Sequence, residues 1–343
     1  MLEVRECKLE DCNAAGNFLQ SGFWGAFKAH FAWKPHAFIV NLQGADAFSL
    51  LVLTRNLVAG FGFAYVPWGP LLKGQITEND ADFNAHLSEL CRSLKPLLPS
   101  NIAFVRLDPP QYTKDGDAKR QIYKPFIHAG ADIQAPDTVL LDLMPSLDDI
   151  LAGMKPKCRY NVRLGGKKVD VYKSDKAELP VFYKIFKETG LRDGIAIHGI
   201  DYYKTLFDIG CETFDVRLYL AKYEGTVIAG IITLFYGETA TYLYGASSNM
   251  HRNMMAPYAL QWRAMQDAKL SGCLVYDLFG IPPTDDPKHP MAGLYRFKTG
   301  FGGTIVHRTG CQDYVYKTVF TKVFGAAERL RKMLRDRRKN RHG

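Results

Sequence analysis

The sequence predicts an α/β chain with mixed sheets, built from two tandem units of one kind, and two observations carry that expectation. At 343 residues and 47% hydrophobic, the chain exceeds what one core usually holds and is too apolar to be disordered. One order of elements, hairpin strands, then a helix, then a strand ending in Pro-Pro, also occurs twice, about half the chain apart.

In the first copy Phe38 to Pro70 reads FIVNLQGADAFSLLVLTRNLVAGFGFAYVPWGP. Apolar runs separated by Gly-containing or polar turns, such as Gln43-Gly44, are the pattern of an antiparallel meander. Phe83, Leu87, Leu90, Leu94 and Leu97 then recur at helical spacing between Asp80 and Leu98. The strand Ile102 to Leu107 stops in Asp108-Pro109-Pro110, because prolines cannot donate to a ladder. In the second copy Leu218 to Ser248 repeats the meander, with a turn at Glu224-Gly225, and a helix is expected at Pro257 to Leu270. Leu274 to Ile281 closes in Pro282-Pro283. The first domain is expected to end near Pro145, with Ser146 capping the next helix. The domains are then 1–145 and 146–310, and the segment 311–343, with a helix at about Tyr316 to Arg338, is assigned to the first.

The formal charge of +9 favours anionic partners: nucleic acid, phosphorylated metabolites or an acidic membrane face. Seven scattered cysteines with no CxxC pair argue against a disulfide framework and against a zinc site, and are expected to be small buried hydrophobes. The N-terminal MLEVRECKLEDCNAAGNF has acids where a signal peptide needs an apolar core, and no stretch reaches the roughly 18 apolar residues of a membrane span. A cytoplasmic protein is expected.

A duplicated sheet unit of this kind raises the acetyltransferase (GNAT) fold and acetyl-CoA. Those enzymes hold the pyrophosphate on a Gly-rich loop at a helix N-terminus. The corresponding loops here, Trp68-Gly69-Pro70-Leu71-Leu72 and Ser247 to Asn253, lack a GxG, and Pro70 removes one donor, so CoA is not expected.

Six stretches, in order, resemble the FemABX family of peptidoglycan interpeptide-bridge aminoacyltransferases. They are Phe18 to Ser21 with Trp24 to Lys28, Tyr65 to Pro70, Arg106 to Pro110, Met154 to Arg163, Tyr244 to Ser248, and Gly293 to Gly303. The resemblance implies twin GNAT-like domains that move an amino acid from aminoacyl-tRNA to the stem peptide of a peptidoglycan precursor, with tRNA as co-substrate and no cofactor or metal. Some members carry a long coiled-coil arm. Val171 to Tyr219 holds no heptad run long enough for one.

The resemblance places Lys298, in Phe297-Lys298-Thr299-Gly300-Phe301-Gly302-Gly303, at the reaction centre, where an ammonium stabilises the tetrahedral oxyanion. A surface lysine beside a glycine turn is the plainer reading. Phe297 is carried over beside it, positioning ester or amine, or serving as a buried anchor. Asp108, at a strand end before Pro-Pro, is a candidate to orient the amine or accept its proton, although Asp before Pro is also a common turn residue.

Lys28 stands four residues after Trp24, on one helical face; its family counterpart meets the precursor's diphosphate, and a solvated helix lysine is the plainer reading. Tyr244, at a strand end in the second copy, is a weaker candidate to contact the precursor's sugar or peptide, with partial core burial the plainer reading, and Trp68 is a further candidate precursor contact. The family also uses an Arg and a Tyr four apart; here the spacing falls on His198 and Tyr202, and Arg192 is the nearby substitute. The run KPKCRYNVRLGGKK, with Lys155, Lys157, Arg159, Arg163, Lys167 and Lys168, suits phosphate contacts on tRNA or is a solvated basic face. The tail RLRKMLRDRRKNR, from Arg329 to Arg341, suits tRNA or peripheral contact with an anionic inner membrane face, or is simply solvated.

The expected activity is transfer of Gly, Ala or Ser to a diamino residue of the stem peptide of a lipid-linked or nucleotide-linked precursor, by a monomer. Competing readings keep the tRNA donor but change the acceptor, or leave a non-catalytic RNA-binding module.

Overall fold

The expected meanders, crossover helices and closing strands all form, in a computed structural model that describes residues 2–13, 16–42, 47–71, 80–113 and 124–342. The Gln43-Gly44 turn and Leu72 lie outside the described residues. The chain divides into two units, Met1–Pro136 with His307–Gly343, and Asp137–Val306.

The first unit begins with β1 (Leu2–Glu6), α1 (Gly22–Ala29), β2 (Lys34–Leu42), β3 (Phe48–Asn56) and β4 (Gly62–Val66). It continues through α2 (Asp80–Leu94), β5 (Ile102–Leu107) and the short β6 (Tyr112–Thr113) and β7 (Ile127–His128). The second unit holds β8 (Asp137–Asp142), α3 (Leu147–Gly153), α4 (Pro156–Lys168), β9 (Asp170–Ser174), α5 (Leu179–Asp193) and α6 (Ile200–Ile209). After them come β10 (Asp215–Tyr223), β11 (Thr226–Tyr236), β12 (Thr239–Ser247), α7 (Ala256–Leu270), β13 (Val275–Gly280), α8 (Ala292–Gly300) and β14 (Thr304–Arg308). The chain returns to the first unit with β15 (Gln312–Val315) and α9 (Thr318–His342).

The first sheet runs β1-β2-β3-β4-β5-β15-β7. Leu50, Leu51, Val52 and Leu53 are all buried, which their unbroken apolar run requires of a strand covered on both faces. Leu87, Leu90 and Leu94 of α2 pack on one face with Val40, Leu50 and Val52. Phe63, Tyr65 and Phe104 on the other meet Phe320 and Phe324 of α9. The second sheet runs β14-β8-β13-β12-β11-β10-β9 within its unit, and Leu260, Ala264 and Met265 of α7 pack into its core beside Tyr276 and Leu278. Residues 171–219 contain the helices α5 and α6, of 15 and 10 residues, where an arm would stand.

The unit boundary lies at Pro136 rather than Pro145. Ser146 does cap α3, its hydroxyl accepting from the Asp149 N–H at 3.1 Å. The strand before it, however, is a member of the second sheet, because β8 pairs antiparallel with β13 through Leu141 and Tyr276. The second boundary falls at Val306 rather than 310, since His307 and Arg308 pair with Thr113 and Tyr112. Five of the seven cysteines are buried; Cys7 is half-buried and Cys211 exposed.

The C-terminal return is fixed by Arg106, a β5 residue with 1% exposure. Its guanidinium donates to both carboxylate oxygens of Asp313 at 2.7 and 2.9 Å and to both of Glu328 at 2.9 and 2.8 Å. It lies 5.3 Å from the Phe104 ring, which shields the fork from water. Arg106→Met leaves two carboxylates without their cation, one of them fully buried, and is expected to lower the unfolding free energy by about 3–5 kcal/mol in urea titrations. A loss under about 1 kcal/mol would mean that the return is held mainly by the aromatic packing of α9.

Candidate functional site

The two units differ where their parallel strands end. In the first, β4 and β5 stay paired through Val66 and Leu107, and Gly69 then bridges to Asp108. In the second, β12 and β13 pair only from Thr239/Val275 to Thr241/Asp277, though both strands run on, to Ser247 and Gly280. Backbone groups past that point need other partners. Phe279 adopts a left-handed φ of 59°, and its N–H donates to the Asp277 carboxylate at 2.7 Å.

Lys298 meets the carbonyls this leaves. Its Nζ donates to the Gly280 carbonyl at 2.9 Å and approaches the Phe279 carbonyl at 3.5 Å, and lies 5.1 Å from the Tyr242 ring. The residue is 6% exposed, so it is not a surface lysine. Burial drives its pKa down to about 7, against the opposing pull of Asp277. With two of three N–H groups held by carbonyls, the ammonium has one fixed direction left for an acceptor. Gly302 and Gly303 follow at φ 85° and 80°; a Cβ on Gly303 would stand 2.5 Å from the Leu140 carbonyl oxygen, so glycine is required there for α8 to lie this close to β8.

Phe297, one residue before Lys298, packs edge-on against Tyr258 at 5.0 Å and lines a cavity of about 480 Å³. Lys157, Asn161, Arg252 and Tyr258 also line it, at the N-terminus of α7. Two cations, a helix N-terminus and two aromatic rings are what a phosphate-bearing chain with planar bases needs. Within the basic run, the Lys155 N–H donates to the Gly300 carbonyl at 2.9 Å and its Nζ to Thr299 Oγ1 at 3.3 Å, tying α4 to α8. Arg159 donates to the Ala152 and Met154 carbonyls at 2.7 and 3.1 Å. Arg163, Lys167 and Lys168 are exposed.

The mouth of the cavity is braced from α5. Arg192 donates to the Ser247 carbonyl at 2.8 Å and to Asn249 Oδ1 at 3.0 Å, while its Nε holds Asp193 at 2.8 Å. Its hydrogen bonds thus anchor the loop that follows β12, a structural task. His198 stacks on Tyr202 with ring centroids 3.9 Å apart, and the Tyr202 and Tyr244 hydroxyls share a hydrogen bond. Tyr203 sits edge-on to Tyr244 at 5.1 Å. These aromatics form one cluster.

In the first unit, Lys28 lies over Trp24, Phe27 and Trp33 with Nζ 5.4, 5.8 and 6.0 Å from their ring centroids. Burial and the nearby Arg55 push it down to about 8. Asp108 is fully buried and accepts from the Tyr65 hydroxyl at 3.0 Å. Burial, helped by Asp132, raises it to about 7, while Tyr65, Arg308 and the Trp68 backbone pull the other way. Trp68, at a φ of 39°, is covered by the Arg308 guanidinium at 3.9 Å.

Sequence reasoning missed Tyr242, Tyr258, Arg252, Trp33 and Arg308. Trp33 is five residues from Lys28 and could have been sought as part of its aromatic surroundings. Arg308 is 240 residues from Trp68 in sequence, and no local signal marks the pair.

Two mixed sheets, each with antiparallel strands and a helix crossing to a parallel strand, define a tandem acetyltransferase-like protein. The chain superimposes on the crystal structure of FemX with a TM-score of 0.78 at 19% identity, covering 94% of this chain and 100% of that one. A tandem GNAT protein from the clavulanic acid biosynthesis pathway gives 0.52 at 12% identity, over 92% and 98% of the two chains. In sequence it is 23% identical to the lipid II:glycine glycyltransferase of Staphylococcus aureus (strain MRSA252), over 88% of this chain and 89% of that one. The pattern of the FemAB family matches residues 10–224 and 216–329, and the chain belongs to that family.

The lowered pKa of Lys298 has a consequence for stability. Between about 7 and the ordinary lysine value of 10.5 the unfolded chain binds one more proton than the folded one, so stability rises with pH in that window. Lys298→Met is expected to abolish that rise, roughly 4 kcal/mol at most, in urea unfolding followed from pH 7 to 10. Parallel pH profiles for the two proteins would show that Lys298 keeps its charge in the fold.

Proposed function

We propose that this protein is an aminoacyltransferase that moves Gly, Ala or Ser from aminoacyl-tRNA to the side-chain amine of a peptidoglycan stem peptide. The observation that carries this is the buried Lys298 ammonium, held by two backbone carbonyls where β12 and β13 separate, with Phe297, the residue before it on α8, lining a cavity. Membership of the FemAB family and the relative that acts on lipid II and glycine support the same class of reaction.

An aminoacyl ester is already activated, so the protein's task is to align ester and amine and to stabilise the oxyanion. The amine nitrogen attacks the ester carbonyl, and the C=O electrons move onto oxygen, where the remaining N–H of Lys298 donates. Collapse expels the ribose oxygen, which takes a proton as the new amide gives one up. The 3′ end of the tRNA is taken into the cavity with Lys157 and Arg252 on its phosphates and Tyr258 and Phe297 beside its bases. The exposed Arg163, Lys167 and Lys168 extend that contact along α4 toward the acceptor arm. Lys28 and Asp108 serve the precursor.

A second reading keeps the donor and changes the acceptor. It rests on His198 standing where the family has arginine, and on Arg192 being committed to Ser247 and Asn249.

The test is mass spectrometry of nucleotide-linked and lipid-linked stem peptides incubated with a charged tRNA pool. We expect a mass increment of one amino acid, reduced about 10²- to 10³-fold in rate by Lys298→Met. Lys28→Gln is expected to weaken a diphosphate-bearing acceptor and to spare a protein acceptor. No increment on either stem peptide, with tRNA still bound, would remove peptidoglycan as the acceptor.

A further inference from the structure

The C-terminal helix α9 has two faces of different character. One packs on the first unit: Phe320 lies 4.3 Å from Phe61, Phe324 lies 5.8 Å from Phe104, and Glu328 receives Arg106. The opposite face carries Val319, Val323, Leu330, Met333 and Leu334, exposed by 79, 67, 53, 52 and 49%. At 3.6 residues per turn these positions, with Ala326 between them, form one stripe about 22 Å long. Five large apolar side chains left in water along one line are unusual for a monomer surface.

The edges of the stripe are cationic. Lys322 and Arg329 flank one side and Arg331 the other, all exposed. Across Thr318–His342 the sequence holds nine Lys and Arg against Glu328 and Asp336, and Glu328 is already taken by Arg106. A second copy of this helix would oppose cations to cations. RNA would satisfy the cations but leave the Val, Leu and Met side chains in water. A surface that is anionic at its headgroups and apolar just beneath them satisfies both.

We propose that α9 docks the protein on an anionic lipid bilayer, with Val319, Val323, Leu330 and Met333 at the headgroup–acyl boundary and Lys322, Arg329 and Arg331 at the lipid phosphates. The inference stands on α9 alone and does not depend on which acyl group or acceptor the second unit handles.

The full chain is tested by flotation with vesicles of equal parts phosphatidylglycerol and phosphatidylcholine, and with vesicles of phosphatidylcholine alone. Binding is expected to be at least about tenfold tighter on the anionic vesicles and to weaken with salt. Val323→Asp with Leu330→Asp is expected to weaken it at least about tenfold. Lys322→Gln with Arg329→Gln should weaken it and flatten the salt dependence. Thermal unfolding should not move, since these side chains face solvent; the milder pair Val319→Thr with Met333→Gln repeats the apolar test if it does. Absence of flotation, or flotation unchanged by both apolar pairs, overturns the proposal. Loss of tRNA binding with vesicle binding intact in the Lys322 and Arg329 variant would give the cations to RNA, and an oligomer dissolved by Val323→Asp would give the stripe to a second copy; either result overturns it as well.

Discussion

The early end of the β12–β13 ladder is the constraint on which the surroundings of Lys298 depend. Parallel strands that separate leave N–H and C=O groups with no ladder partner, and a buried carbonyl without a donor costs about as much as a lost hydrogen bond. Asp277 takes the Phe279 N–H, and Lys298 takes the carbonyls of Phe279 and Gly280. The backbone opening and the buried ammonium are thus one arrangement: the carbonyls make burial of a cation tolerable, and the cation makes the separation tolerable. Desolvation still outweighs the opposing pull of Asp277, which lowers Lys298 from 10.5 to about 7.

The duplicate in the first unit resolves the same position the opposite way. There the parallel pair stays closed to its last residues, and the polar group at the strand end is a carboxylate, Asp108, instead of a cation. Two residues before it and on the same face, Arg106 commits its fork to Asp313, Glu328 and the Ala131 carbonyl. A strand and a helix from the chain's C-terminus therefore complete the first unit. One repeat presents a charged group at an open fork; the other has converted its equivalent region to internal fastening and to a buried acid.

Much of this is legible in the sequence where the signal is local. The spacing of Leu87, Leu90 and Leu94, the Ser146 cap, and the Trp24–Lys28 pair on one helical face are fixed by neighbours within a few residues, and each is found. The unit boundary is misplaced from sequence because Pro145-Ser146 looks like a domain edge, whereas the deciding contact, Leu141 with Tyr276, spans more than a hundred residues. Burial of Lys298 is invisible for the same reason. The motif around it draws attention to the residue, but the carbonyls that hold it come from the end of β13, and a lysine in sequence carries no mark of being dry. The task of Arg192 is also hidden, since its partners lie on the loop after β12.

Charge shows how an average can mislead about place. The net +9 invites the picture of a basic protein with a generally attractive field. Yet Thr318–His342 holds nine cations against two acids, and Pro156–Lys168 holds five against none, which together exceed the charge of the whole chain. The remainder is net acidic. The largest excess of positive charge is therefore concentrated on two helices, one in each unit, and at about 8–10 Å of screening length each acts on what lies directly before it. On α4, Lys157 lines a cavity with the rings of Tyr258 and Phe297 at the N-terminus of α7. On α9 they border an exposed apolar stripe, so similar charge stands in different surroundings in the two units.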